Sequence, residues 1–270
     1  MKKSSNNPSI SVIMAVYNGM PYLQEAVKSI LDQSYKDFEF IIVNDASTDG
    51  TLKYLKSLKD KRIQIINNPK NLGLALSLNR AIEKSKGAYI ARMDADDISL
   101  TNRFKMQMEY LVANPKIDIC GTWAKLIDEN SRSIGEVHKP TNDKEIKKMN
   151  KWITGLIHPS WFGKKSVFEK LNGYNPKYDM VEDYEFLIRA KKFRMANLKE
   201  ELLLWRTIRN RRSQNGIEKM YRKSLSVRLH YFKNGEFGLS YFPYLIRSLI
   251  TTFLLPTRFK IFFNKKAGLL

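Results

Sequence analysis

Gly87-Ala88-Tyr89-Ile90-Ala91-Arg92-Met93-Asp94-Ala95-Asp96-Asp97 runs from a short apolar stretch straight into three carboxylates within four residues. Ala88 to Met93 predicts a buried strand ending at Asp94. Three like charges so close together repel one another unless something positive is bound. A hard divalent cation with oxygen ligands is the natural guest. Mg²⁺ or Mn²⁺ would take one or two of these carboxylates and fill its other positions with water and phosphate oxygens. An acidic loop capping a helix that begins near Thr101 explains the same residues structurally. The stretch alone leaves the two readings level.

Upstream of this junction, strand-like and helix-like patterns alternate. Ile10 to Val16 is β-rich and mostly apolar. Pro21 opens a segment in which Leu23, Ala26, Val27, Ile30 and Leu31 fall at helical spacing. Phe38 to Val43 predicts a second strand that ends at Asn44-Asp45. Asp49-Gly50-Thr51 starts a helix carrying Leu52, Leu55 and Leu58. A short strand over Arg62 to Ile66 and a helix over Leu72 to Lys84 lead back to Gly87. This cadence, with strands apolar along their length, predicts a parallel sheet covered by helices on both faces. Such sheets bind ligands beyond the carboxyl ends of their strands, where Asp45 and the Asp94 group both stand. Asp45 can accept hydrogen bonds from a base or a ribose, with Asp49 capping the next helix. An Asx turn accounts for the same residues without a ligand.

Downstream of residue 115 the pattern is mixed. Ile117 to Asp128 and Ser133 to Val137 read as strands around a turn at Glu129-Asn130-Ser131. Thr141 to Trp152, Glu182 to Lys192 and Gly216 to Tyr231 read as helices. The acids of Val181-Glu182-Asp183-Tyr184 suit the positive end of a helix dipole and need no catalytic reason. Cys120, the single cysteine, excludes an intramolecular disulfide and a Cys-rich metal site; its apolar flank predicts a packing residue. Lys2 and Lys3 ahead of Ile10 to Tyr17 superficially resemble a signal peptide. Eight apolar residues leading into the turn Asn18-Gly19-Met20-Pro21 read better as a buried strand.

With 270 residues, 43% hydrophobic and 11% aromatic, the chain fits one globular domain with an appendage. Its formal charge of +20 is uneven: from residue 201 onward, 14 Lys or Arg oppose only Glu201, Glu218 and Glu236. Such a field draws nucleic acid, anionic lipid and phosphorylated substrates alike. Leu239 to Phe263 interleaves aromatic and aliphatic side chains with Arg247, Arg258 and Lys260. No apolar run in it nears the ~20 residues that span a bilayer. The pattern predicts a segment lying in the interface of an anionic membrane. A helix packed on the core or in an oligomer is the structural alternative.

Five segments occur in one order: Ser9 to Asn18, Asn44 to Gly50, Asn71-Leu72-Gly73-Leu74-Ala75, Gly87 to Asp97, and the Glu182-Asp183 pair. Together they resemble family 2 glycosyltransferases of the GT-A fold over roughly residues 8 to 206. The resemblance implies an α/β fold with a Rossmann-like, mostly parallel sheet flanked by helices. A catalytic domain would occupy residues 1–206, with a nucleotide-binding part at about 8–100 and an acceptor-binding part at about 115–206. A basic, aromatic extension would follow at 207–270. The implied reaction is inverting transfer from a UDP-sugar to a hydroxyl of a glycan or lipid-linked glycan, with Mn²⁺ or Mg²⁺ as cofactor. Ala15, Val16, Tyr17 and Asp45 would line the nucleoside pocket, with Asn71 nearby. Asp94, with Ala95 beside it, would contact the nucleotide sugar, and Asp96 would ligate the metal together with Asp94. Asp183 would be the general base and Glu182 its support.

The resemblance is incomplete in one segment. Relatives carry Tyr-Arg-x-His after the last core strand, whereas Leu204-Trp205-Arg206-Thr207-Ile208 keeps the arginine and puts Ile208 at the histidine position. Metal coordination is therefore not expected from it. Arg206, with Arg209, Arg211 and Arg212, is expected to help hold the diphosphate; a solvated basic face explains the last three equally. His158 and Trp161 are candidate acceptor contacts, Trp161 and Tyr174 by stacking on a sugar ring, with core packing the alternative. A nucleotidyltransferase would share the sheet and the metal, but the glycine-rich phosphate loop is missing near the N-terminus. A dinucleotide dehydrogenase needs Gly-x-Gly-x-x-Gly after the first strand, which Tyr17-Asn18-Gly19-Met20 does not supply. A non-catalytic membrane-binding module leaves Asp45, Asp94, Asp96 and Asp183 without a reason. The expected setting is cytoplasmic, peripheral on the inner membrane face, in surface or capsular polysaccharide synthesis, with no nucleic-acid partner.

Overall fold

The computed structural model describes residues 7–208 and 216–266. Strand β1 (Ile10–Val16) is buried along its whole length. It pairs in parallel with β2 (Phe38–Asn44) on one side and β4 (Tyr89–Arg92) on the other, and β3 (Ile63–Asn67) extends the sheet from β2 in parallel. Because side chains alternate across a strand, β1 feeds two cores. Ile10, Val12, Met14 and Val16 meet Leu23, Ala26, Val27 and Ile30 of α1 (Leu23–Leu31) and Phe104 of α4 (Arg103–Ala113). Ile13 and Ala15 meet Leu78 and Ala81 of α3 (Leu74–Lys84), Phe168 of α6 (Lys165–Lys170) and Phe186 of α7 (Glu182–Arg189). Helix α2 (Thr51–Ser57) adds Leu55 to the first core.

The second half of the sheet is built from β5 (Ile98–Ser99), β6 (Ile119–Ile127), β7 (Ser133–Val137), β8 (Phe162–Lys164) and β9 (Met195–Arg206). The strand order is β3-β2-β1-β4-β8-β6-β9-β5, with β7 paired to β6. Antiparallel pairs enter at β8, while β6 and β9 run parallel. The chain leaves β1 toward β2 and β3, then returns to its other side as β4. That reversal puts the carboxyl ends of β1, β2 and β4 side by side at a topological switch point.

Sequence patterns located the elements of the parallel half, but no strand was expected where the twelve-residue β9 lies. The expected helix over Thr141 to Trp152 is α5 (Asp143–Met149), opened by Asn142, whose Oδ1 accepts from the Glu145 amide at 3.0 Å. The expected helix from Glu182 to Lys192 is α7 followed by one tighter 3₁₀ turn. Strand β8 and helix α6, with three and six residues, are too short to show a period.

The tail folds back. Helix α8 (Ile217–Lys233) buries Val227 against Tyr178, Val181, Tyr184 and Ile188. Tyr231 donates to Glu185 at 2.7 Å, and Lys223 to the Asp179 carbonyl at 2.8 Å. Helices α9 (Phe242–Phe253) and α10 (Thr257–Lys266) follow. Lys260 of α10 donates to both Glu218 oxygens of α8, at 2.9 and 2.8 Å. Among the described residues, no helix is long and apolar enough to cross a membrane.

Gly87 is where the chain turns into β4 against β1. A Cβ there would sit 2.5 Å from the Ser11 nitrogen and 2.7 Å from the Ile10 carbonyl carbon, backbone that cannot yield. Gly87→Ala is expected to cost about 1–3 kcal/mol, read as a lower urea midpoint at an unchanged slope.

Candidate active site

The acidic turn after β4 is built on buried arginines. Arg92, 1% exposed, puts Nη2 2.5 Å from Asp94 Oδ1. Burial alone would lower the Arg92 pKa; Asp94, Tyr174 and Asp97 outweigh it and hold the group above its ordinary value. Behind it, Arg103 of α4 is fully buried and donates Nη2 to the Arg92 carbonyl at 2.5 Å. Burial, then the charge of Arg92, pushes Arg103 down to about 9, which leaves it cationic at neutral pH. Carboxylate oxygens of Asp94, Asp96 and Asp97 lie within 4.8 Å of one another. This all-oxygen cluster fits a hard divalent cation.

Arg206 does not do what the sequence suggests. It is 1% exposed, and its donors are spent inside the protein. Its amide donates to Asp97 Oδ1 at 2.8 Å and Nε to the Asp96 carbonyl at 2.8 Å. Nη1 reaches the Asp128 carbonyl and Ser131 Oγ, and Nη2 reaches Glu25 at 2.6 Å, with the guanidinium over the Tyr22 ring. Arg206 is therefore a clamp from β9 behind the turn, not a diphosphate contact. Arg209, Arg211 and Arg212 lie outside the described residues.

The nucleoside-side candidates stand at the ends of β1 to β3. Tyr17 is 51% exposed and free to meet a flat ligand, while Ala15 and Val16 are buried beneath it. Asp45 is 3% exposed, and both its oxygens are engaged. Oδ1 accepts from Asn68 Nδ2 at 2.6 Å and the Leu72 amide at 2.8 Å, and Oδ2 from the Gly73 amide at 2.9 Å. Asp45 thereby braces the Asn71-Leu72-Gly73 loop from within. Asn71 itself is exposed beside it. Asp49 accepts from the Thr51 amide at 2.9 Å and caps α2 from one residue before the N-cap, Gly50.

Asp94, Asp96, Glu182 and Asp183 line one cavity of about 1020 Å³. Helix α7 brings the last two there from almost ninety residues away in sequence. Burial raises the Asp183 pKa, opposed by its bond from the Tyr184 amide (2.7 Å) and by the charge of Arg92. A carboxylate shifted upward is a better proton acceptor once ionised. His158 also lines the cavity, with Nε2 2.9 Å from the Tyr174 hydroxyl. Burial and the Arg92 charge depress its pKa well below the usual value, so the imidazole is neutral. Trp161 is fully buried among His158, Tyr174 and Phe186; it and Tyr174 belong to the core and cannot stack on an acceptor sugar.

The rest of the cavity wall was not singled out from the sequence. Lys139, Trp152 and Tyr184 line it from the core, and Tyr221, Arg228, Tyr244 and Arg247 from α8 and α9. Each comes from a segment whose local pattern reads as solvated or structural, so only the packing of α8 on α7 reveals them.

The Glycosyl transferase family 2 model matches residues 11–172. The chain is 39% identical over 210 residues to an uncharacterized glycosyltransferase of Methanocaldococcus jannaschii, spanning 74% of this chain and 71% of that protein. It is 34% identical to the O-antigen biosynthesis glycosyltransferase WbnJ of Escherichia coli, spanning 91% of this chain and 92% of that one. Among solved structures, S. aureus TarS 1–349 with UDP-GlcNAc matches at a TM-score of 0.62 and 17% identity, over 93% of this chain and 82% of that one. The mannosyltransferase PcManGT of Pyrobaculum calidifontis, solved with GDP-Man and Mn²⁺, matches at 0.62 and 17%, over 98% and 77%. Against a longer TarS chain, the match spans 39% of that protein. This chain belongs to glycosyl transferase family 2 and is a glycosyltransferase of the GT-A fold, which sets aside the nucleotidyltransferase and the non-catalytic module.

Arg206→Met is expected to lower stability by about 3 kcal/mol or more, because it strands several buried carbonyl acceptors. Glu25→Gln is expected to cost at most ~1 kcal/mol, since the Glu25 side chain is 55% exposed. Urea unfolding of both variants separates the carbonyl clamp from the ion pair.

Proposed function

We propose that the protein catalyses metal-dependent, inverting transfer of a sugar from a UDP-sugar to a hydroxyl of a glycan or lipid-linked glycan. The observation that carries this is the convergence of Asp94, Asp96 and Asp183 on one cavity. Asp183 takes the proton of the acceptor hydroxyl as its oxygen attacks the anomeric carbon from the face opposite the leaving diphosphate. One displacement inverts the configuration. Glu182 supports Asp183, and neutral His158, braced by Tyr174, serves as an uncharged hydrogen-bonding partner on the acceptor side. Tyr17 forms the platform for the base, at the edge of the loop that Asp45 braces.

Asp94 and Asp96 would hold a divalent cation, Mn²⁺ or Mg²⁺, which would supply charge neutralisation for the departing diphosphate; at ~3.5 Å and an effective dielectric near 20, one charge pair is worth roughly 5 kcal/mol. Relatives support the donor and the pathway class. WbnJ is named for O-antigen biosynthesis. A second E. coli relative, 26% identical over nearly the full length of both chains, is a UDP-Gal:alpha-D-GlcNAc-diphosphoundecaprenol beta-1,3-galactosyltransferase.

Helix α9 supports peripheral attachment to an anionic membrane. Its Leu245, Ser248 and Thr252 are buried, while Phe242, Ile246, Leu249, Ile250 and Phe253 form an exposed apolar stripe at i, i+4, i+7, i+8 and i+11. Phe259 and Phe262 of α10 are also exposed. Arg247 and Arg258 flank these side chains, the pairing an interfacial helix uses on acidic lipid.

UDP release from a UDP-sugar panel, with and without Mn²⁺, tests the reaction. Asp96→Ala is expected to abolish transfer and metal stimulation. Asp183→Asn is expected to lower kcat by about 10²–10⁴ while binding UDP normally. Its Tm should hold or rise, because the fold already disfavours the buried charge and the amide oxygen can still accept from Tyr184. Full transfer by either variant would refute its role. Flotation on anionic vesicles tests the attachment: Ile250→Glu with Phe253→Glu should leave the protein at the bottom of the gradient, and unchanged flotation would end the idea.

A further inference from the structure

Resting on the transferase reading, we propose that Lys139, Arg228 and Arg247 form a second anion site in the cavity, which binds a phosphate group carried by the acceptor. Lys139, between β7 and α5, is 7% exposed and has no side-chain hydrogen bond or ion pair among the described residues. A buried ammonium without a partner is costly unless an anion arrives to meet it. Burial lowers the Lys139 pKa to about 8, and the nearby charge of Asp183 pulls it back without closing an ion pair.

Arg228 of α8 is 8% exposed. Its Nη1 donates to Ser248 Oγ at 3.1 Å and Nη2 to the Trp152 carbonyl, while Nε is buried without a partner. The guanidinium lies 4.7 Å over the Tyr184 ring. Arg247 of α9 lies 4.0 Å over Trp152 and pairs with no described carboxylate. All three cations line the cavity that holds Asp94, Asp96 and Asp183.

The donor diphosphate belongs at the acidic turn with its cation, so three further unpaired cations call for a second anion. Aromatic faces at Trp152 and Tyr244 beside them suit a sugar ring. The position of α9 says which way the acceptor runs. Its Tyr244, Ser248 and Thr251 line the cavity, and its Ile246, Leu249, Ile250 and Phe253 form the outer apolar stripe. A phosphate held beside Arg247 can send an apolar chain over the helix edge while its sugar points toward Asp183. The same cations would also hold a soluble sugar phosphate.

The test uses the full chain saturated with UDP and Mg²⁺, with farnesyl phosphate, farnesol and inorganic phosphate as calorimetric probes. Farnesyl phosphate is expected to bind alongside UDP at least tenfold more tightly than farnesol. Lys139→Met and Arg247→Gln should each weaken it at least tenfold while UDP affinity stays within twofold. Arg247 is exposed, so its variant is informative even if Lys139→Met fails to fold. Inorganic phosphate binding as tightly as farnesyl phosphate keeps the site and assigns it to soluble phosphorylated acceptors; weaker binding assigns it to lipid-linked ones. Displacement of farnesyl phosphate by UDP, equal binding of farnesol, or unweakened variants would overturn the proposal. UDP-sugar turnover in the same preparation judges the transferase reading separately.

Discussion

Three carboxylates must be kept together at the end of β4. Their mutual repulsion is answered from behind. Arg92 pairs with Asp94 at 2.5 Å, Arg103 holds the Arg92 carbonyl, and Arg206 clamps the Asp96 carbonyl and Asp97 from β9. All three arginines are buried within one percent of full exclusion. Each is expensive to bury and kept only because it is hydrogen-bonded to backbone or carboxylate oxygens. The result is a turn whose geometry is set before any ligand arrives. A charge-stabilising site is most effective in that state, because nothing has to reorganise as charge develops.

That rigid corner governs the rest of the cleft. Arg92 reaches electrostatically to Asp183, His158 and Tyr174, so one buried cation biases that whole side of the cavity. It opposes the effect of burial on Asp183 and adds to the effect of burial on His158. Burial raises the pKa of Asp183, with Arg92 opposing it, whereas burial and Arg92 together lower that of His158. Helix α7 carries Asp183, and its outer side is covered by α8. The C-terminal helices are therefore walls of the site as well as an outer surface. Because α9 has one edge on the cavity and one open to solvent, a single helix forms both a wall of the cavity and an outer apolar surface.

Residues that misled did so for a common reason. Arg206, Asp45 and Trp161 are chemically suited to ligands, and their types announce that capacity. What a sequence does not display is whether the capacity is already used. The donors of Arg206 are consumed by Asp96, Asp128, Ser131 and Glu25, and the acceptors of Asp45 by Asn68, Leu72 and Gly73. Most of these partners are distant in sequence. Lys139 and Arg228 were invisible for the opposite reason: surface-like residue types in basic segments, buried only by a packing event far along the chain.

Local rules alone determined the parallel half of the sheet, its helices on both faces, and an acidic turn at the end of β4. Continuous apolar runs of strand length and the 3.6-residue stripe of α1 and α3 are short-range signals that need no knowledge of neighbours. Tertiary structure decided the site. It set Asp183 in the same cavity as Asp94 and Asp96, spent Arg206 and Asp45 on the scaffold, and made α8 and α9 part of the cleft. Burial, and with it the cost and pKa of every charge, is a property of all the atoms that surround a group, and those atoms are gathered only when the chain has folded.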